Sequence, residues 1–157
     1  MDFSEKYIKM CQKAEEIQIE WKPKVGDWVI DVWNRERPLV ICAVRDNPDY
    51  FYLSDQFASD KENIYQNHIS KLYWLPRQDQ LQEMLNLKVI KYGLLNKIDN
   101  ILYKVYKDKY ISGFAFDSFE QLWLAFVMYK KYGKIWDNKK EEWIKREIKN
   151  EKTYYKN

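Results

Sequence analysis

Between Trp21 and Trp28 the apolar period of this chain changes from helical to two, and a fold must accommodate both periods in sequence. Phe3, Tyr7, Met10, Ala14, Ile17 and Trp21 recur at alternating gaps of four and three, which predicts an amphipathic N-terminal helix ended by Pro23. Three heptads are short for a free-standing dimer, so the helix is expected to pack on the protein's own core, although a terminal helix is also simple to swap. From Val25 the pattern alternates. Gly26-Asp27 opens a strand from Trp28 to Trp33, Arg35-Glu36-Arg37-Pro38 turns the chain, Leu39 to Val44 forms a second strand, and Asp46-Asn47-Pro48-Asp49 turns it into a third from Tyr50 to Leu53. The result is an antiparallel meander, entered through Val-Gly-Asp in the manner of small SH3-like barrels, for which the N-terminal helix is a candidate cover.

Residues 54 to 72 are polar and turn-rich and read as a long loop or short helical excursion carrying the single histidine, His68. Tyr73 and Trp74 form a short closing strand. Pro76 suits the first turn of a helix whose apolar positions are Leu81, Met84 and Leu85. Spacing predicts a further helix from Leu94 to Lys107, after a break near Gly93, and another capped by Asp117 or Ser118, with a buried stripe of Phe119, Leu122, Trp123, Phe126 and Val127 ending at Tyr132-Gly133. Asn138 with Glu141 caps a last predicted helix, its Trp143, Ile144 and Ile148 inward. The fold class is therefore α+β: an N-terminal helix, a small antiparallel β-meander and a C-terminal helical bundle, in a single domain of 157 residues with a candidate subdomain boundary between 1–73 and 74–157.

Three segments together resemble a family of small proteins encoded by phages and prophages of low-GC bacteria. They are the Trp-x-Pro-x-x-Gly-Asp element at Trp21 to Asp27, the run Trp-Leu-Pro-Arg-Gln-Asp-Gln-Leu-Gln-Glu-Met-Leu from Trp74 to Leu85, and the Glu-Gln-Leu-Trp-Leu-Ala-Phe helix from Glu120 to Phe126. The resemblance covers roughly residues 21 to 136. It implies a viral origin and supplies no activity and no catalytic residue to carry over.

The residues themselves point away from catalysis. Gly-x-Ser-x-Gly, a Walker-type loop, His-Glu-x-x-His and a dinucleotide fingerprint do not occur, and His68 stands apart from any nucleophile-base pattern. Asp27 and Asp31, four apart on β structure, lie roughly 13 Å apart at about 3.3 Å per residue, too far to share a proton, so turn and strand-edge roles are expected. Asp55, Asp60 and Glu62 form an oxygen-rich loop to which no metal is assigned, and no cofactor is expected. Cys11 and Cys42 lack metal spacing and read as buried free thiols, which with the absence of a signal-like start or a membrane-length apolar run predicts a cytoplasmic protein with no membrane association.

Interaction is the expected role. Seven Trp, thirteen Tyr and seven Phe exceed what a core of this size readily hides, which points to a partner surface. The candidate patch is Trp74, Arg77, Gln78, Asp79 and Gln82, whose polar groups crowd one helical turn and offer directional hydrogen bonds to an unidentified host or phage protein; helix capping is the competing reading. Charge supplies the alternative. Residues 130 to 157 carry a net +5 and the remainder −2, and the basic side chains interleave with Tyr and Trp. Lys139, Lys140, Lys145 and Arg146 are accordingly the candidates for nucleic-acid binding. A homo-oligomer is left open.

Overall fold

The computed structural model describes residues 1–32, 37–44, 46–47, 49–54, 64–85 and 116–145. These form a mixed α and β structure with two antiparallel sheets and four helices. The helix expected over 94–107 lies outside the described residues, as do Trp33, Asp55, Asp60, Glu62, Arg146 and Ile148.

The N-terminal helix forms as two pieces, α1 (Glu5–Lys13) and α2 (Glu15–Glu20). Ser4 caps α1 by accepting from the Tyr7 amide. Ala14 breaks the run at φ −87° and ψ 65°. The Cys11 carbonyl freed there accepts from the Ala14 amide and from Gln18 Nε2. The predicted seam survives the break, since Tyr7, Met10, Ala14, Ile17 and Trp21 are all buried.

The meander is present and longer than expected. Strands β1 (Trp28–Asp31), β2 (Leu39–Val44), β3 (Tyr50–Ser54), β4 (Ile64–His68) and β5 (Leu72–Leu75) make one antiparallel sheet in the order β4-β3-β2-β1-β5. Part of the predicted 54–72 loop is thus β4 and a single 3-10 turn, Ile69–Lys71. Its polar residues hide the strand: Gln66 is exposed, while Asn67 and His68 are satisfied by Asp31 and Ser70. Cys42, expected to be buried, is exposed. The register steps from Ile41 opposite Leu53 to Ala43 opposite Tyr52, so Cys42 is the extra residue of a bulge, and it follows the fully buried Ile41 on a strand where successive side chains point to opposite faces.

Pro76 precedes the N-cap rather than opening the helix: α3 spans Gln78–Glu83, with Arg77 at the cap. Next in the described chain comes α4 (Phe119–Tyr132), started by Ser118 accepting from the Gln121 amide and ended by Gly133 at φ 64°. The positive φ suits glycine, whose N–H returns to the Met128 and Tyr129 carbonyls. Helix α4 is buried on all sides from Trp123 to Met128, so its core face is wider than the stripe predicted, while Phe119 is exposed and Leu122 only half-buried.

A hairpin replaces the last predicted helix. Strands β6 (Lys134–Asp137) and β7 (Glu142–Lys145) pair with Trp136 opposite Trp143, their rings 5.1 Å apart and edge-on. Asp137, rather than Asn138, organises the turn: its Oδ1 accepts from the Lys139 and Lys140 amides, and its carbonyl accepts from Glu141, which takes φ 53°. Trp143 Nε1 donates to the Met10 carbonyl at 2.9 Å, fastening the hairpin to α1. With this segment in β structure, a bundle is not what the described C-terminal residues form. One apolar core joins α1, α2, the large sheet, α3, α4 and the hairpin, so the described part of the proposed 1–73 and 74–157 halves shares it.

Candidate functional site

The first two resembling segments meet around one buried carboxylate. Gly26, at φ 91°, turns the chain into β1, and Asp27 follows it at 3% exposure. Asp27 Oδ2 accepts from Trp21 Nε1 and from the Lys24 amide, each at 2.9 Å, and Oδ1 accepts from Gln80 Nε2 at 2.6 Å. The other end of the Gln80 amide accepts from the Arg77 backbone N–H at 2.9 Å, supplying half of a capping box at the start of α3. Arg77 Nη1 donates to the Gly26 carbonyl at 2.9 Å, and its guanidinium also meets Asp79. Trp21 lies parallel to Trp74 with ring centroids 5.9 Å apart. The loop before β1 and the helix after β5 are therefore clasped by side chains that the two segments contribute jointly.

Beside the clasp is a cleft of about 230 Å³ lined by Trp21, Trp74 and Met84, with Lys22, Lys24, Glu83 and Lys131 among its charged residues. Lys131 is paired with Glu20 at 2.5 Å, and the bonds from Lys131 and Tyr132 hold the Glu20 carboxyl below the usual range. Ile19 and Val25, each adjacent in sequence to a lining residue, are 82% and 62% exposed. The Trp74 indole N–H is buried and has no hydrogen-bond partner among the described residues.

Of the predicted partner patch, Trp74 is in the core, Arg77 is half-buried and engaged as described, and Asp79 is exposed on its ion pair with Arg77 at 3.2 Å. Gln78 and Gln82, one turn apart on α3, are half-buried, and among the described residues neither side chain makes a hydrogen bond. Of the predicted basic set, Lys139 and Lys140 sit exposed in the hairpin turn and Lys145 at the far end of β7, opposite Lys134. The hairpin thus separates Lys145 from the turn lysines, whereas the helix reading puts them on one face. His68 Nδ1 accepts from the Ser70 amide at 3.2 Å and lies 2.8 Å from Ser70 Oγ, so it caps the 3-10 turn. Asp31 accepts from the Asn67 side-chain amide, and Asp27 is engaged at the clasp.

Sequence reading does not anticipate that Gln18, Gln80 and Gln121 each tie distant segments together. Gln121 of the third resembling segment, 1% exposed, donates to Asp2 Oδ2 at 2.8 Å and accepts from the Asp117 amide at 3.1 Å. Ser118 Oγ donates to the same Asp2 oxygen, and the Ser4 amide donates to Oδ1. The carboxylate is placed between the starts of α1 and α4, where both helix dipoles favour it. Partial burial pushes the Asp2 pKa up, but the bonds from Ser118, Ser4 and Gln121 outweigh it and hold the carboxyl below its ordinary value. A depressed carboxyl stabilises the fold above its unfolded pKa and loses that contribution as pH falls through the folded one. Urea midpoints of the protein and of Asp2→Asn are therefore expected to differ at pH 6 and to converge towards about pH 2; a gap that stays constant would rule out the linkage.

Among the described residues no group of three His, Cys, Asp or Glu is placed to hold a metal, and no helix is long and apolar enough to cross a membrane. Comparison with models of protein families, with curated proteins and with solved structures finds no match for the chain.

Proposed function

We propose that this chain is a cytoplasmic accessory protein of phage or prophage origin that acts by binding another protein rather than by catalysis. The observation that carries the reading is the exposure of two large aliphatic side chains, Ile19 and Val25, each next in sequence to a residue that lines the cleft. Large aliphatic side chains left in water, together with an aromatic-lined depression, are the kind of surface that partner proteins cover. Gln78, Asp79 and Gln82 add polar groups nearby on α3, and the two amides are uncommitted among the described residues. Arg77 acts in this reading as a positioning residue. The fold is read as an SH3-like barrel, supported by the order β4-β3-β2-β1-β5, the 3-10 turn between β4 and β5, and burial of both faces of β1 at Val29 and Ile30.

A second reading, nucleic-acid binding, is supported by the exposed Lys139 and Lys140 of the hairpin turn with Lys145. One experiment separates the two. Tagged protein is used to capture partners from a host lysate, with and without nuclease, beside Ile19→Glu/Val25→Glu and Lys139→Glu/Lys140→Glu. The aliphatic pair is expected to lose a nuclease-resistant stoichiometric protein by tenfold or more, about 1.4 kcal/mol, while its unfolding midpoint stays within about 0.5 kcal/mol of the parent. Nuclease-sensitive recovery lost only in the lysine variant would establish the second reading instead.

A further inference from the structure

The two edges of the five-stranded sheet are treated differently. Val32 N bonds the Lys71 carbonyl, so by the antiparallel alternation the backbone of Leu72 and Trp74 faces away from β1. That edge is sealed by side chains: Gln18 Oε1 accepts from the Trp74 amide at 2.8 Å, Gln18 Nε2 donates to the Trp74 carbonyl at 3.1 Å, and Tyr7 Oη donates to the Pro76 carbonyl. At the other edge, Ile69 N bonds the Asp49 carbonyl, so Asn67 and Tyr65 face β3 while the backbone of Ile64, Gln66 and His68 points outward. The outward His68 amide is taken by the Asn67 side chain. Gln66 is exposed, and its outward N–H and C=O have no hydrogen-bond partner among the described residues.

We propose that β4 pairs antiparallel with β4 of a second copy of this chain, about a two-fold axis through Gln66. Three features favour that occupant. The outward residues 64, 66 and 68 are centred on Gln66, so a two-fold places Gln66 opposite itself and Ile64 opposite His68; with the His68 amide held by Asn67, the complementary bonds are the two of the Gln66 pair and those from the Ile64 amides to the His68 carbonyls. Ile64 to His68 contains no Asp, Glu, Lys or Arg, so a second copy meets no like charge from these residue types. The strand also carries no Lys, Pro or bulge in its ladder with β3, the devices that keep edges apart. Five residues a side bury less than a standard interface, so the dimer is weak, with a Kd in the micromolar range.

Sedimentation equilibrium of the full chain, over about two decades of concentration around that range, tests the proposal. A monomer–dimer equilibrium is expected. Gln66→Pro removes an N–H that faces away from β3, so the native ladder stays intact while dimerisation weakens about tenfold or more. Gln66→Lys and Gln66→Asp, which avoid any backbone strain, are each expected to sediment as monomers because like charges would stand directly opposite. Their equimolar mixture is expected to recover dimer, since the introduced lysine of one copy faces the introduced aspartate of the other only if the axis passes through this position. A wild-type chain that remains monomeric throughout would overturn the proposal. So would a dimer that all three variants leave unchanged, or charge variants that fail to associate on mixing.

Discussion

Asp27→Ala is expected to lower the unfolding free energy by about 3 kcal/mol, since it leaves three donors converging on an empty position. Trp21 Nε1, the Lys24 amide and Gln80 Nε2 all point at this carboxylate, and only Gln80 has freedom to turn away. Turning away has its own cost. The far end of the same amide accepts from Arg77 N, so a rotated Gln80 uncaps α3, at about 1 kcal/mol. Asp27→Asn separates charge from hydrogen bonding. Its carbonyl oxygen can keep Trp21 and Lys24, but its NH2 then confronts Gln80 Nε2, so a loss of about 1.5 kcal/mol, roughly half that of alanine, is expected. Urea unfolding followed by tryptophan emission is the measurement, because Trp21 and Trp74 stack beside the carboxylate. Were alanine to fall within about 0.5 kcal/mol of the parent, the clasp would contribute nothing to stability.

That clasp also explains how far the sequence can be read. Periodicity and turn signals locate α1, β1, β2, β3 and α4; α1 and β3 bury one regular face, while β1, β2 and α4 bury consecutive apolar residues. The caps Ser4, Ser118 and Gly133 are local chemistry. Ser118 and Gly133 are legible directly, since a helix start or stop depends on the few residues around it. Where the reading departs from the fold, a tertiary contact decides. The stretch after Asn138 has helical spacing in Trp143 and Ile144, but Trp136 across the turn and the Met10 carbonyl beyond it favour the strand. The polar residues Asn67 and His68 of β4 are satisfied by Asp31 and Ser70, and Cys42 lies on the face opposite the buried Ile41.

The patch around Arg77 shows the same limit on function. Its six polar side chains between Arg77 and Glu83 exceed what a short helix needs. Two of the reasons lie elsewhere in the chain: Gln80 serves Asp27, 53 residues away, and Arg77 serves Gly26, 51 residues away. Neither partner can be named from the segment itself. Among the described residues the Gln78 and Gln82 side chains stay uncommitted and Ile19 and Val25 stay exposed, and the proposed partner reading rests on these.

Gln18 makes the same point about a single residue, and its replacement by leucine is expected to cost about 2 to 4 kcal/mol. The side chain satisfies both outward backbone groups of Trp74 as a neighbouring strand would, and its Nε2 also reaches the Cys11 carbonyl at the break between α1 and α2. Leucine fills the space yet returns neither bond, so an N–H and a C=O are left half-buried without partners. Gln18→Glu discriminates the two halves of the contact. A carboxylate still accepts from the Trp74 amide but cannot donate to either carbonyl, and it places negative charge against two oxygens, so most of the loss persists at pH 7 and shrinks as the carboxyl is protonated below its ordinary pKa near 4.3. Hydrogen exchange supplies the residue-level check. The Trp74 amide is expected to lose protection in Gln18→Leu beyond the global change in stability, while Tyr73 and Leu75, which bond β1, follow the global value alone. Uniform loss across β5 would mean that Gln18 stabilises the fold without sealing this edge. Selective loss at Trp74 would establish that Gln18 of α2 occupies the place of a sixth strand at this edge of the sheet.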